Sequence, residues 1–224
     1  MELIMIPSAI AMLLLMVCRR CRYNISLLKT FIIVILVAVL GVLSTFLLYF
    51  IENGEWGGKS FFGAVLFIPV IFSALSKLFK IPTSALMDFI APPGLLMFAV
   101  MKANCALSGC CGGRIVGYTA HNEPIHFPSP IVESLTTLLL VAVLLFFEYK
   151  GKTNGKLYPI SLISYGALRF ILNFFRIQEE PFFLGLQKGN VWALVAIFVG
   201  LLWIFGLYYI EVNKKYKEFK NSDS

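Results

Sequence analysis

From Leu27 to Ile51 the chain has one charged residue, Lys29, in an otherwise apolar run. Crossing the hydrocarbon core of a bilayer, about 30 Å thick, takes about 20 helical residues. Such a run has no stable home on a water-facing surface. Six further apolar segments can be read: Leu3–Val17, Phe61–Leu78, Ser84–Met101, Pro130–Phe147, Leu157–Phe175 and Val191–Ile210. Together they predict an all-α polytopic membrane protein with about seven transmembrane helices, organised as a single integral membrane domain over residues 1–224. The first segment is short. Asp88, Pro92 and Pro93 fall within the fourth, which leaves room for a broken or re-entrant element lining a cavity.

Composition agrees: 59% of residues are hydrophobic and 14% charged, where a soluble domain carries about 25% charged residues. The net charge of +7 would suit nucleic acid in a soluble protein, but the distribution of the basic residues explains it another way. Arg19, Arg20 and Arg22 follow the first apolar run, the reverse of a signal peptide's order. Lys77 and Lys80, then Lys150, Lys152 and Lys156, and finally Lys214, Lys215, Lys217 and Lys220 occupy alternate connections. The intervening connections are acidic or balanced. The positive-inside rule then gives an N-out, C-in topology, a long external loop over 102–129 and a basic cytoplasmic tail over 211–224. No nucleic-acid partner is needed to explain the charge. The five cysteines, Cys18, Cys21, Cys105, Cys110 and Cys111, lack histidines at zinc-ligand spacing. Neither a metal nor a cofactor is expected.

Ionisable groups inside a membrane are costly and default to functional candidates. Arg169 lies within the sixth segment. Tyr165, Arg169, Asn173 and Arg176 follow at helical spacings of three and four, so they share a face. Such a column suits a phosphate headgroup, because guanidinium binds phosphate oxygens in bidentate fashion. The alternative is an internal ion pair between Arg169 and Glu133 or Asp88. Glu133 reads either as part of that site or as an exposed first-turn glutamate favoured by the helix dipole, Asp88 as a cap of its own helix, and Arg176 as an interfacial residue that snorkels. Around Cys110 and Cys111 the chain is rich in glycine. Gly113, flanked by Lys102 and Arg114, would suit an anion cradle or, equally, a tight loop with inert thiols. Of the two histidines, His126 is the better candidate for proton transfer.

Several of these stretches resemble one family, the prolipoprotein diacylglyceryl transferases. Asp88-Phe89-Ile90-Ala91-Pro92 is similar to its D-x-x-A-P element. The stretch from Lys102 to Gly113 aligns without a gap to G-R-x-G-N-F-x-N-x-E-x-x-G from its arginine onward, with Lys102 at that arginine, Cys105 and Ser108 at the asparagines and Cys110 at the glutamate. Gly57 to Gly63, including Ser60, resembles G-G-x-S-F-H-G with Phe62 for the histidine. His126 to Glu133 resembles R-H-P-S-Q-L-Y-E. Tyr165 to Arg176 resembles Y-G-x-x-R-F-x-x-E-F-F-R, with Asn173 for the glutamate.

The resemblance implies a bacterial plasma-membrane enzyme with its active face toward the outer leaflet. It would move a diacylglyceryl group from phosphatidylglycerol to a cysteine thiol of a prolipoprotein. Arg169 and Lys102 would hold phosphate, and His126 or Glu133 would assist the proton. Arg176, Tyr165, Asn173, Gly113, Arg114 and Ser60 would contact phospholipid. Cys105, Cys110 and Cys111 would line the pocket or carry a thiol role. The departures at Phe62, Cys110 and Asn173 leave two alternatives: another thiol acceptor on the same scaffold, or a non-catalytic phospholipid-binding membrane protein.

Overall fold

The structure is a computed structural model that describes residues 5–58, 61–109, 112–119, 121–151, 155–177 and 181–222. Seven α-helices are described: α1 (Met5–Arg19), α2 (Leu27–Asn53), α3 (Phe61–Phe79), α4 (Thr83–Leu107), α5 (Ser129–Tyr149), α6 (Leu157–Asn173) and α7 (Lys188–Ser222). Two small antiparallel hairpins sit between helices. Strands β1 (Ile115–Tyr118) and β2 (Pro124–His126) pair before α5, and β3 (Pro181–Phe183) and β4 (Leu186–Gln187) pair before α7. α2, α4, α5 and the Lys188–Asn213 part of α7 are long and apolar enough to cross a membrane. Exposed Leu28, Ile35, Leu43 and Ile51 on α2, and Leu201, Leu202 and Phe205 on α7, form a surface that water would not tolerate and lipid solvates. The chain is an all-α membrane protein.

Local chemistry sets the boundaries. The Ser26 side chain accepts the Lys29 amide to start α2, and Gly54, at φ +75°, closes it. α6 and α7 approach closely because both carry glycine at the crossing. A Cβ on Gly166 would come 3.0 Å from the Ala193 carbonyl oxygen, and one on Gly200 3.0 Å from that of Pro159. Small residues bring helices together in lipid, where apolar burial between helices gives little.

α4 departs from the expectation of a broken element: it is continuous through Pro92 and Pro93. Neither proline can donate to the carbonyl four residues back, so those of Asp88 and Phe89 lose their helical partners. Arg19, at the end of α1, supplies donors to both, at 2.9 Å to Asp88 O and from Nη1 to Phe89 O. One guanidinium thus takes the place of the two missing amides. Asp88 differs too. It caps α6 rather than its own helix, accepting Gly155 N at 2.7 Å on one carboxylate oxygen and Tyr158 N at 3.2 Å on the other. The main apolar core, with Met16, Ile33, Phe72, Leu86 and Phe89, lies around this half of the bundle.

Candidate active site at the Glu133 end of the bundle

Three residues after the end of β2, Ser129-Pro130 opens α5; proline is favoured in a first helical turn. One turn in, Glu133 points into the bundle and is 1% exposed, not at the surface as a first-turn glutamate would be. Three cations from two other parts of the chain converge on it. Lys102 Nζ lies 3.1 Å from Oε2, Arg169 Nη1 bonds Oε1, and Arg176 Nη1 stands 3.7 Å from Oε2. The Tyr165 hydroxyl donates to Oε1 at 3.4 Å. Of the alternatives for Arg169, the structure therefore has the ion pair with Glu133, and it has it inside a larger cationic cluster.

Each cation is placed by its own element. α4 continues to Leu107, so Lys102 lies in a buried helical turn rather than at the start of a loop. Its stem runs past Phe98, with Nζ 5.3 Å from the ring centroid, and Phe98 meets Tyr165 edge-on at 5.2 Å. Arg169 and Tyr165 share a face of α6. Arg176 lies beyond the helix and is held by backbone pairing with Gly113. That pairing requires glycine. A Cβ at Gly113 would stand 2.4 Å from the Phe127 carbonyl oxygen and 2.8 Å from that of Phe175. Arg114 donates its amide to Phe175 O at 3.0 Å and lays its guanidinium over the Phe175 ring, 5.1 Å from the centroid. It belongs to the rim, away from the Glu133 contacts.

The predicted column on α6 divides. Tyr165, Arg169 and Arg176 reach Glu133, whereas Asn173 packs against Gly189 at the start of α7. His126 is exposed on β2, its Nδ1 3.0 Å from the Gly113 carbonyl oxygen. Against a carbonyl, Nδ1 carries the proton and leaves Nε2 as the basic nitrogen. Cys105 is half-buried near the end of α4. Ser60, Cys110 and Cys111 lie outside the described residues, as does the side chain of Phe62.

Three cations against one carboxylate leave two positive charges unbalanced among the described side chains of the cluster. Inside an apolar bundle a surplus of this kind is expensive until an anion joins it. Lys102 brings a point charge and the two arginines bring planar forks, a combination suited to a phosphate ester.

A second buried carboxylate, Glu148, sits at the other end of α5. Arg19 meets it with Nε at 3.0 Å and Nη2 at 2.6 Å, and the Tyr23 hydroxyl donates to it at 2.6 Å. Burial, and then the bond to Glu148, push the Tyr23 hydroxyl well above its usual range, so it remains a donor. Arg22, Tyr23, Ser84, Asp88, Glu148 and Gly155 are among the residues lining a cavity of about 430 Å³ here. Sequence reasoning missed this cluster. Arg19 reads as a topogenic charge and Glu148 as the end of a span beside Lys150. It also missed the buried Asn190 at the start of α7 and the pair of Lys188 with Glu52, at 2.6 Å.

Fold and site together define a helical membrane protein with a buried, cation-rich centre at one end of its bundle. The sequence profile of the prolipoprotein diacylglyceryl transferase family matches residues 3–206, and the chain belongs to that family. A phosphatidylglycerol–prolipoprotein diacylglyceryl transferase of Dehalococcoides mccartyi is 28% identical over 158 residues, covering 66% of this chain and 60% of that protein. Proteins of the same name from Nitrosomonas europaea and Acinetobacter baumannii are 28% and 29% identical, covering 75% and 68% of this chain and 66% and 64% of their own lengths. The chain thus spans just under two thirds of the length of these curated relatives.

Proposed function

We propose that this protein transfers a diacylglyceryl group from phosphatidylglycerol to a cysteine thiol of a prolipoprotein. The observation that carries this reading is the surplus of positive charge around buried Glu133. The donor's phosphodiester brings a single negative charge and oxygens for the Arg169 and Arg176 forks, with the Lys102 ammonium beside them. The thiol sulfur attacks the diacylglyceryl carbon. The S–C bond forms as the C–O bond to phosphate breaks, and glycerol phosphate leaves with the electron pair. The thiol proton passes to a base. Charge moves onto the phosphate as that bond breaks, where fixed cations in a dry site stabilise it most.

Glu133 is a positioning residue here. Its two oxygens are occupied by Lys102, Arg169 and Tyr165, so it holds the cations in place. His126 Nε2 is the better proton acceptor. It stands on the hairpin that also fixes Arg176, through Gly113. Gly113, Arg114 and the Tyr165 hydroxyl shape the rim and back of the phospholipid site. The family resemblance adds Cys105, near the end of α4, and Ser60, Cys110 and Cys111, which lie outside the described residues, as further candidates.

The membrane is bacterial and the site faces the outer leaflet. Supporting this, Arg19, Arg20, Arg22, Lys150 and Lys156 gather at the Glu148 end, which the positive-inside rule assigns to the cytoplasm.

The test is a transfer assay with purified protein in detergent, labelled phosphatidylglycerol and a lipobox peptide, with Arg169→Ala as control. Thioether product that depends on Arg169 is expected. Lipid binding without transfer, while a relative succeeds beside it, would replace this reading with another thiol acceptor or a non-catalytic lipid-binding role. Asn173, standing where the family has glutamate, is the observation that keeps those two in view.

A further inference from the structure

Helical winding continues past Arg19, the last residue of α1. The amides of Arg22 and Tyr23 donate to the carbonyls of Arg19 and Arg20 at 3.1 and 3.2 Å. Asn24, at φ +57°, then closes the turn. Its amide reaches Cys21 O at 3.2 Å, and that of Ile25 reaches Arg20 O at 3.0 Å. This pair of bonds around a left-handed residue is a Schellman closure, so the winding includes everything up to Tyr23. Cys18 and Cys21 therefore stand three apart in one helical turn and share a face. That face looks outward. Ile10 and Leu14, two turns and one turn before Cys18, are 51% and 60% exposed. Both cysteines are free and exposed. Arg19, between them, turns the other way into the Glu148 cluster.

The spacing discriminates between two uses of a thiol pair. Side chains three apart on a helix have Cβ atoms about 5–6 Å apart. A relaxed disulfide wants about 3.5–4.5 Å, so the winding would have to close up. Arg19 opposes that, because its guanidinium is tied to Glu148 and to the carbonyls of Asp88 and Phe89. Two sulfur–metal bonds, each about 2.3 Å for a thiolate on zinc, bridge the same gap with the backbone at rest.

The donors choose the ion. Thiolates select soft cations. Among the described residues no third His, Cys, Asp or Glu joins the pair. Zinc, which takes four ligands, would find half of them here. Monovalent copper is soft and is satisfied by two thiolates. On binding, both thiols release their protons and two S–Cu bonds form. Copper stays monovalent, and the centre carries one negative charge. At the C-terminal end of a helix that charge is unfavourable alone, but Arg20 and Arg22 belong to the same winding. The positive-inside rule assigns this end to the cytoplasm, where thiols stay reduced.

We propose that Cys18 and Cys21 bind one monovalent copper ion at the end of α1. The site is separate from the Glu133 centre and independent of the transfer reaction. Its occupant clamps the winding that carries Arg19.

The test measures copper(I) uptake by the full-length protein in detergent, with ascorbate present and bicinchoninate as competing chelator. In a background of Cys105→Ser, Cys110→Ser and Cys111→Ser, only the two thiols of α1 remain. One copper per chain is expected there, and none once Cys21→Ser is added. A second variant leaves the other cysteines in place. Arg20→Cys combined with Cys21→Arg keeps every thiol and charge but sets the pair two apart, on different sides of the winding. It should hold one copper fewer than wild type. Three results would each overturn the site: no uptake by a background that still unfolds cooperatively, equal uptake before and after the exchange, or zinc(II) held as tightly as copper(I). Ready closure of the pair to a disulfide by a mild oxidant, read as lost maleimide labelling, would overturn the geometric argument and the site with it.

Discussion

Helix α5 carries a buried glutamate near each end, and the two are used in opposite ways. Glu148 sits in a saturated arrangement. Arg19 gives it two donors and Tyr23 a third, and the rest of the Arg19 guanidinium goes to the carbonyls of Asp88 and Phe89. Asp88 spends its carboxylate on the α6 amides. Charges and hydrogen bonds balance, so the cluster fixes α1, α4, α5 and α6 in one arrangement. Glu133, roughly 22 Å away at 1.5 Å per helical residue, faces three cations, which among the described residues leaves two charges over. Among the described residues, Ser129 Oγ and Asn173 Nδ2, each one turn further out, find no hydrogen-bond partner. A buried ionic group that is complete within the protein is a structural joint. One that is incomplete is a place for a ligand.

That contrast fails if substitutions at the two ends have the same signature. The largest effect is expected from Arg169→Ala. Losing a cation aimed at the developing phosphate charge should lower transfer by about 10²–10³-fold, with modest change in thermal unfolding. Comparable loss of stability and activity would mean that the Glu133 end is a joint as well. Next comes Arg19→Met, which strands a buried carboxylate and two carbonyls. It should lower stability by about 3–5 kcal/mol, read by unfolding in detergent, while activity per folded molecule stays near wild type. Adding Glu148→Leu to Arg19→Met should recover part of that loss, because no unpaired charge then remains. Recovery from removing a partner is not expected at the other end: Glu133→Leu should leave Arg169→Ala as inactive as before. Lys102→Arg tests whether a fork can stand in for a point charge. Because it keeps the charge, transfer should change less than tenfold, against about 10²-fold for Lys102→Met. The smallest effect belongs to Arg22→Gln. Its side chain is 42% exposed and its Nε stands 3.7 Å from Glu148 Oε1, so its ion pair should contribute about 0–1 kcal/mol and nothing to transfer.

Much of the candidate site was legible. Arg169 inside an apolar segment, with Tyr165 and Arg176 at helical spacing, marks a candidate face whatever the fold. Glu133 was legible as a candidate, but its burial was not. A glutamate in a first turn looks the same in sequence whether it faces water or three cations. Asn173 fell on the right face by periodicity, yet at the helix end the side chain packs on α7 at Gly189. Lys102 looked like the edge of a loop because polar Asn104 and small residues follow it, although the helix runs one more turn. Asp88, near the start of its own segment, gave no sign that it would cap a helix far along the chain.

The sequence by itself determined the solvent, the helical class and the family, because apolar runs of spanning length and motifs at fixed spacing are local properties of the chain. Tertiary structure decided which charges meet. Pro92 and Pro93 announce two missing amides, but only packing brings Arg19 to the carbonyls they free. Glu133 and Glu148 have similar local settings, and only the cations arriving from other helices make one complete and leave the other short of an anion. Electrostatics inside a bundle acts through space over a few ångströms, and sequence distance carries no information about that.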